Sequence, residues 1–178
     1  MTLPKILNGI EQNILEEARR QVLEQGYSRM TIRSVARACG IAVGTIYNYY
    51  SSKEVLTASF MLSDWFALLQ SMGGACAAAA GPGEAFRCVY DGLQAFADRY
   101  KRALFTDRAA EKSYAAALNS RHGQLRAQVA ELLAPVCAGA AVPSPALPEF
   151  IADALLTWAL EEKPFDELSA ILLQLFKK

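Results

Sequence analysis

Residues Met30–Leu56, MTIRSVARACGIAVGTIYNYYSSKEVL, decide how the rest of the chain is read. Two short helical patterns, Thr31 to Cys39 and Val43 to Tyr50, are separated by a turn at Gly40, Ile41 and Ala42. In the first, Ile32, Val35, Ala36 and Cys39 recur at three- and four-residue steps and gather on one side, and Gly40 supplies the stop that a left-handed helix cap needs. In the second, Val43, Ile46 and Tyr50 share the inward face, while Gly44, Thr45 and Asn48 face the other way at about 100° per residue. This is a helix-turn-helix layout, and its second helix is the candidate to enter a DNA major groove.

The outward face carries chemistry suited to that task. Gly44 and Thr45, near the helix start, let the backbone approach a base edge closely, and the Asn48 amide can pair bidentately with adenine. Tyr47 and Tyr49 flank the face, with hydroxyls that can reach phosphates on either side. From Tyr27 to Lys53 the charged residues are Arg29, Arg33, Arg37 and Lys53, with no Asp or Glu, a local sum of about +4 in a chain whose net charge is +0. Positive charge is concentrated at this stretch rather than spread along the chain.

The same residues resemble the DNA-binding domain of the TetR family of transcriptional regulators. Agreement in order and spacing covers roughly the first third of the chain: Ile14, Leu15 and Ala18, Gly26-Tyr27, Thr31, Val35-Ala36, Gly40, Val43-Gly44-Thr45, Ile46-Tyr47, Tyr49-Tyr50, Ser52-Lys53-Glu54 and Leu56. One departure stands out, because the family usually has Ser or Thr where this chain has Ala42. That position caps the recognition helix, and losing a cap hydroxyl costs about 0.5–2 kcal/mol of helix stability. The Ala42 methyl therefore either meets a thymine methyl or meets nothing.

Upstream, Asn8 to Gln25 reads as a first helix, with Asn8 and Glu11 in the form of a capping box, Gly26 as the stop, and Ile10, Ile14, Ala18 and Val22 as its apolar stripe. The opening MTLPKILNGIEQN has no long apolar run behind a basic head, and no segment offers the roughly 18 apolar residues of a membrane span, so neither a signal peptide nor a membrane helix is expected. Cys39, Cys76, Cys88 and Cys137 are far apart, without CxxC spacing or a neighbouring His, which disfavours a zinc site or a redox pair. Hydrophobic content of 53% with 20% charge is ordinary globular usage.

Downstream, Ser51 or Ser52 opens a helix through Val55, Leu56, Phe60, Phe66 and Leu69 towards Gly73. The run GGACAAAAGPG from Gly73 to Gly83 reads as a break between helices, without the strand or the Lys-Ser/Thr pair of a phosphate-binding loop. Phe86, Val89, Leu93, Phe96 and Tyr100 then form a helical seam. Two further helical patterns hold Leu104, Phe105, Tyr114 and Leu118, and Leu125, Val129, Leu132, Leu133 and Val136. His122, the only histidine, falls between them and reads as a solvated loop residue. After the irregular Ala138–Pro148 linker, two helices near 149–161 and 166–177 carry more apolar residues than one stripe needs, which calls for neighbours on two sides, either a second copy or, in a monomer, a fully internal helix pair.

The expected fold is all-α, with about nine helices: a three-helix DNA-binding domain over residues 1–51 and a helical ligand-binding and dimerisation domain over residues 52–178. The expected DNA contacts are Arg33, Ala42, Val43, Gly44, Thr45, Tyr47, Asn48, Tyr49 and Lys53, with Lys53, Tyr47 and Tyr49 on phosphates and Arg33, Val43, Gly44 and Asn48 nearest the bases. Arg33 enters because the family often uses its position. The resemblance further implies a bacterial, cytoplasmic homodimer on a palindromic operator of double-stranded DNA. It also implies repression relieved by a small-molecule effector; no cofactor or metal is expected from the residues themselves. Trp65, Phe66, Tyr90, Phe96, Tyr100, Phe105 and Tyr114 are the candidates for the effector pocket, and Leu155, Trp158, Leu168, Leu172, Leu175 and Phe176 for the dimer interface. Two other classes stay open at this stage. One is a ligand-binding or adaptor body with a vestigial helix-turn-helix; the other is an all-helical enzyme, although no nucleophile with a base, carboxylate pair or metal cluster is legible.

Overall fold

The computed structural model describes the backbone of residues 5–104 and 108–177, and the side chains of residues 9–101, 103 and 123–177. Its regular structure is entirely helical: α1 (Lys5–Gln25), α2 (Ile32–Ala38), α3 (Val43–Tyr47), α4 (Lys53–Ala78), α5 (Pro82–Leu104), α6 (Arg108–Cys137), α7 (Leu147–Leu160) and α8 (Phe165–Leu172), followed by a 3-10 turn over Leu173–Phe176. The chain divides into two compact units, one of Met1–Trp65 with Arg99–Tyr114, the other of Phe66–Asp98 with Ala115–Lys178.

In the first unit the stripe of α1 closes over the helix-turn-helix. Ile14, Ala18 and Val22 are fully buried, as are Val35 of α2, Ile46 of α3, and Leu56 and Phe60 of α4. Each large apolar side chain so removed from water contributes about 1.5–3 kcal/mol. Two glycines stop the helices in the left-handed region, Gly26 at φ 89° and Gly40 at φ 67°, which only glycine adopts without strain. α2 opens with a reciprocal capping box: the Thr31 hydroxyl accepts from the Ser34 amide and the Ser34 hydroxyl from the Thr31 amide, both at 3.0 Å.

The second unit is built on the seam of α5. Phe86 and Val89 are fully buried and Tyr90 and Leu93 nearly so; the Phe86 ring meets Phe176 edge-on at 5.5 Å, and the Tyr90 ring meets Phe165 at 5.2 Å. The Tyr90 hydroxyl donates to the Lys163 carbonyl, and Arg87 lies 4.1 Å over the Phe165 ring while pairing with Asp166. At Gly92 a Cβ would lie 3.0 Å from the Met72 sulfur and 3.1 Å from Leu68, so α4 and α5 pack closely there and a side chain would make those neighbours shift.

Several expectations from sequence need correction. α1 begins at Lys5, so Asn8 lies inside the helix rather than capping it. α3 ends at Tyr47 and not Tyr50, since the Tyr49 and Tyr50 amides both turn back to the Ile46 carbonyl. α4 runs through Gly73 and Gly74 to Ala78, which confines the break before α5 to residues 79–81. A glycine costs a helix interior about 1 kcal/mol, and once a helix has passed its nucleus a run of alanines carries it onward. The patterns around Tyr114 and Leu125 fall in the single helix α6, which also contains His122 and leaves eight α-helices among the described residues instead of about nine. Phe105 lies outside the described residues.

Candidate nucleic-acid interface

Thr31 to Lys53 brings most of the predicted contacts onto one compact motif. Ile46 and Tyr50 turn inward, at 0% and 5% exposure, and the Tyr50 hydroxyl donates to Glu11 of α1 at 3.3 Å. Arg33, Ala42, Gly44, Tyr47 and Asn48 are exposed, while Val43, Thr45, Tyr49 and Lys53 are partly so. Tyr47 leaves 53% of its surface to solvent, high for an aromatic residue and outside the folding core. Gly44 has an ordinary helical φ, and a Cβ built on it would touch nothing within 4 Å. The fold of this chain therefore does not demand glycine there.

The basic residues divide into two kinds. Arg19, Arg20, Arg87, Arg99 and Arg126 are all ion-paired. Arg29, Arg33 and Arg37 are exposed and have no carboxylate partner among the described residues. Unneutralised guanidinium groups close to the two short helices offer a polyanion its electrostatic footing.

Lys53 is held rather than loose. Its ammonium sits 4.0 Å from the centre of the Tyr27 ring, and the Tyr27 hydroxyl donates to Glu54 at 3.0 Å. Burial pushes the Lys53 ammonium below its ordinary pKa, and burial together with the Glu54 hydrogen bond pushes the Tyr27 phenol up to about 12. Ser52 is the residue that caps α4, its hydroxyl accepting from the Val55 amide at 3.2 Å, and the Ser52 hydroxyl is the largest influence lowering the Glu54 carboxyl. Tyr27 and Glu54, the residues that orient Lys53, carry no sequence signal of this role. Arg29 and Arg37, visible in the sequence only as part of the positive charge between Tyr27 and Lys53, join the expected contacts on this exposed basic surface.

α3 starts without a side-chain cap. Ala42 has extended backbone at φ −70° and ψ 147°, and only its carbonyl engages the helix, accepting from Thr45 at 3.0 Å. The recognition helix is thus the shorter and less anchored of the two.

The remaining candidates lie elsewhere. Trp65, Tyr90 and Tyr100 are buried, Phe96 is half-buried, and Phe66 is exposed; the Tyr114 side chain lies outside the described set. Leu155, Leu168 and Leu172 are buried within the second unit, with Trp158, Leu175 and Phe176 at its margin. Apolar surface on α7 and α8 is left at Phe150 (60% exposed), Leu160 (47%) and Ile171 (61%). Burial raises the thiols of Cys39 and Cys137 and takes Cys76 to about 11, the reverse of what a reactive thiolate requires. Among the described residues no group of three or more His, Cys, Asp or Glu is placed to hold a metal, and no helix is long and apolar enough to cross a membrane.

Residues 14–59 match the sequence model of the bacterial regulatory proteins of the tetR family. No curated protein matches the chain. Among solved structures, a transcriptional regulator from Streptomyces coelicolor A3(2) is similar at 16% identity, with 95% of this chain and 99% of that one covered and a TM-score of 0.64. The TetR family repressor AlkX from Dietzia, implicated in biodegradation of n-alkanes, gives 13% identity, coverage of 94% and 97%, and a TM-score of 0.58. FadR from Bacillus subtilis, solved in complex with stearoyl-CoA, gives 17%, 93% and 96%, and 0.55.

Proposed function

We propose that this chain, whose residues 14–59 match the bacterial regulatory proteins of the tetR family, is a transcriptional regulator whose homodimer binds a palindromic DNA operator and releases it when a small molecule binds the C-terminal helices. The observation that carries this reading is the contrast between Arg29, Arg33 and Arg37, unpaired around the helix-turn-helix among the described residues, and the paired arginines elsewhere. A DNA duplex supplies the missing counter-charge. Lys53, Tyr47 and Tyr49 hold phosphates, Thr45 serves backbone or base, and Arg33, Val43, Gly44 and Asn48 face the base edges, with the Ala42 methyl beside them.

The functional division we infer assigns residues 1–51 to DNA reading and 52–178 to ligand binding and dimerisation. A second copy covers Phe150, Leu160 and Ile171, with Trp158, Leu175 and Phe176 at the margin and Leu155, Leu168 and Leu172 supporting them from below. A two-fold pair presents two recognition helices to half-sites about 34 Å apart. Phe66 and Phe96 have ring surface to offer an apolar effector, whereas Tyr90 and Tyr100 have committed their hydroxyls to Lys163 and Asp64. That FadR from Bacillus subtilis was solved in complex with stearoyl-CoA supports an effector with an apolar portion. In this role the protein works in the cytoplasm, as a repressor, without cofactor.

The test is enrichment of genomic fragments by the purified protein, followed by titration of the best fragment across salt. A shared palindrome is expected, with log affinity falling linearly in log salt by about 0.9 per phosphate neutralised. Fragments enriched no better than random sequence overturn the reading.

A further inference from the structure

We propose that Asp64 is a positioning residue that ties the last turns of α5 to the DNA-reading unit, so that the end of α5 sets how the recognition helix is presented; this rests on the DNA-binding role above. Residues from Arg99 onward on α5 belong to the same compact unit as the helix-turn-helix, although they are far from it in sequence. The Tyr27 amide, just past the end of α1, donates to the Ala103 carbonyl at 2.9 Å. The Tyr100 ring stacks on Phe60 with centroids 6.4 Å apart, and Tyr100 and Ala103 are both buried.

Asp64, on α4, is where these attachments meet. Its Oδ2 accepts the Tyr100 hydroxyl and lies 3.8 Å from the Arg99 guanidinium, and its Oδ1 lies 2.7 Å from Arg19 of α1. One carboxylate, 12% exposed, thus receives donors from the helices on either side of it. Burial, reinforced by Asp64, holds the Tyr100 phenol well above its ordinary pKa, so it remains a donor. Arg19 has its Nε buried without a partner among the described residues, and Asp64 is the carboxylate its guanidinium meets.

From Arg19 the connection passes along α1 into the motif by three separate bonds. Gln21 accepts the Ser34 hydroxyl of α2, the Asn13 carbonyl accepts the Cys39 thiol at 3.6 Å, and Glu11 accepts the Tyr50 hydroxyl. α1 and the helix-turn-helix are therefore fastened together, and Asp64 joins them to the end of α5 beside the Tyr27–Ala103 bond and the Phe60–Tyr100 stack. Both α4 and α5 continue into the second unit, α4 beyond Trp65 and α5 before Arg99.

Two variants of the full chain test this. Tyr100→Phe keeps the ring stack and removes one donor; Asp64→Asn removes the charge. Amide exchange of Tyr27, whose hydrogen bond to Ala103 reports directly on the joint, should accelerate by about tenfold or more, the loss expected for a hydrogen bond to a charged group, while amides of Ile32–Ala38 change little. Affinity for the fragment enriched by the wild-type protein should shift at least threefold with an unchanged salt slope, since no phosphate contact is lost. Unchanged exchange at Tyr27 in both variants overturns the joint. A faster Tyr27 amide with unaltered DNA affinity, or a reduced salt slope, overturns the positioning role. If the wild type enriches no DNA, it is the DNA-binding role that fails, and the exchange measurement still decides whether Asp64 holds the end of α5.

Discussion

Replacing Ala42 with serine should stabilise the recognition helix by about 1 kcal/mol, within a general range of about 0.5–2 kcal/mol for gaining an N-cap hydroxyl. The backbone is already in place: Ala42 is extended at φ −70° and ψ 147°, and its carbonyl accepts from Thr45 at 3.0 Å. Thr31, at the matching position of α2, shows the geometry to be gained, with its hydroxyl 3.0 Å from the Ser34 amide. Since Ala42 is exposed, the new hydroxyl enters without a desolvation cost. A helix leaves its first four amides without an internal partner, and in α3, which spans only Val43–Tyr47, one recovered bond is a large share. A gain of about 1 kcal/mol is roughly a fivefold change in an opening equilibrium. Native-state amide exchange across Val43–Tyr47 should slow by about that factor, with Ile32–Ala38 as the internal reference. Exchange that stays the same or speeds up would refute the capping argument. If the Ala42 methyl meets a thymine methyl, the same variant weakens binding at one base position; otherwise affinity is unaltered.

Gly44→Ala should raise the stability of α3 by about 1 kcal/mol while weakening operator binding, because the new methyl fills space the protein leaves empty; DNA affinity equal to wild type would remove Gly44 from the interface. Asn48→Ala should cost about 1–3 kcal/mol, mainly at one base position, measured with single-base operator variants, and equal losses on specific and random DNA would exclude base readout. Lys53→Ala should weaken binding to all sequences and lower the salt slope by about 0.9; an unchanged slope argues against a phosphate contact. The Tyr27 phenol, raised to about 12 in the folded protein against an ordinary 10, favours the proton-bound form. Its contribution to stability is therefore complete below pH 10 and is lost as the pH rises through about 12, which phenolate absorbance and alkaline unfolding of the Tyr27→Phe variant can check.

What sequence made legible was local. Gly26 and Gly40 announced their stops because a left-handed cap admits little else, and both adopt positive φ. In the stripe Ile14, Ala18 and Val22 are buried and Ile10 partly so, and in the seam Phe86, Val89, Leu93 and Tyr100 are buried and Phe96 partly so, much as their spacing requires. Gly73 and Gly74 misled for the opposite reason: glycine weakens a helix without ending it, and neighbours that favour helix decide the outcome. Within the interface, the outward polar face and the basic residues were visible, while the stacking of Lys53 on Tyr27 and the meeting of Arg19, Tyr100 and Asp64 were not. Those pairs join residues distant along the chain, and periodicity carries no information about which distant helices meet.

The attachment of the α5 end to the N-terminal helices also sets an order of events during synthesis. The Tyr27 amide and the Phe60 ring find their partners only when Ala103 and Tyr100 have emerged from the ribosome. At about 5–20 residues per second, several seconds separate the making of the recognition helix from the arrival of those partners. The helix-turn-helix is therefore translated early but completed late. A nascent chain halted before residue 99 would expose Phe60 and leave Asp64 without Tyr100, and a transplant of the DNA-reading unit onto another body would have to carry a discontinuous piece of α5 with it.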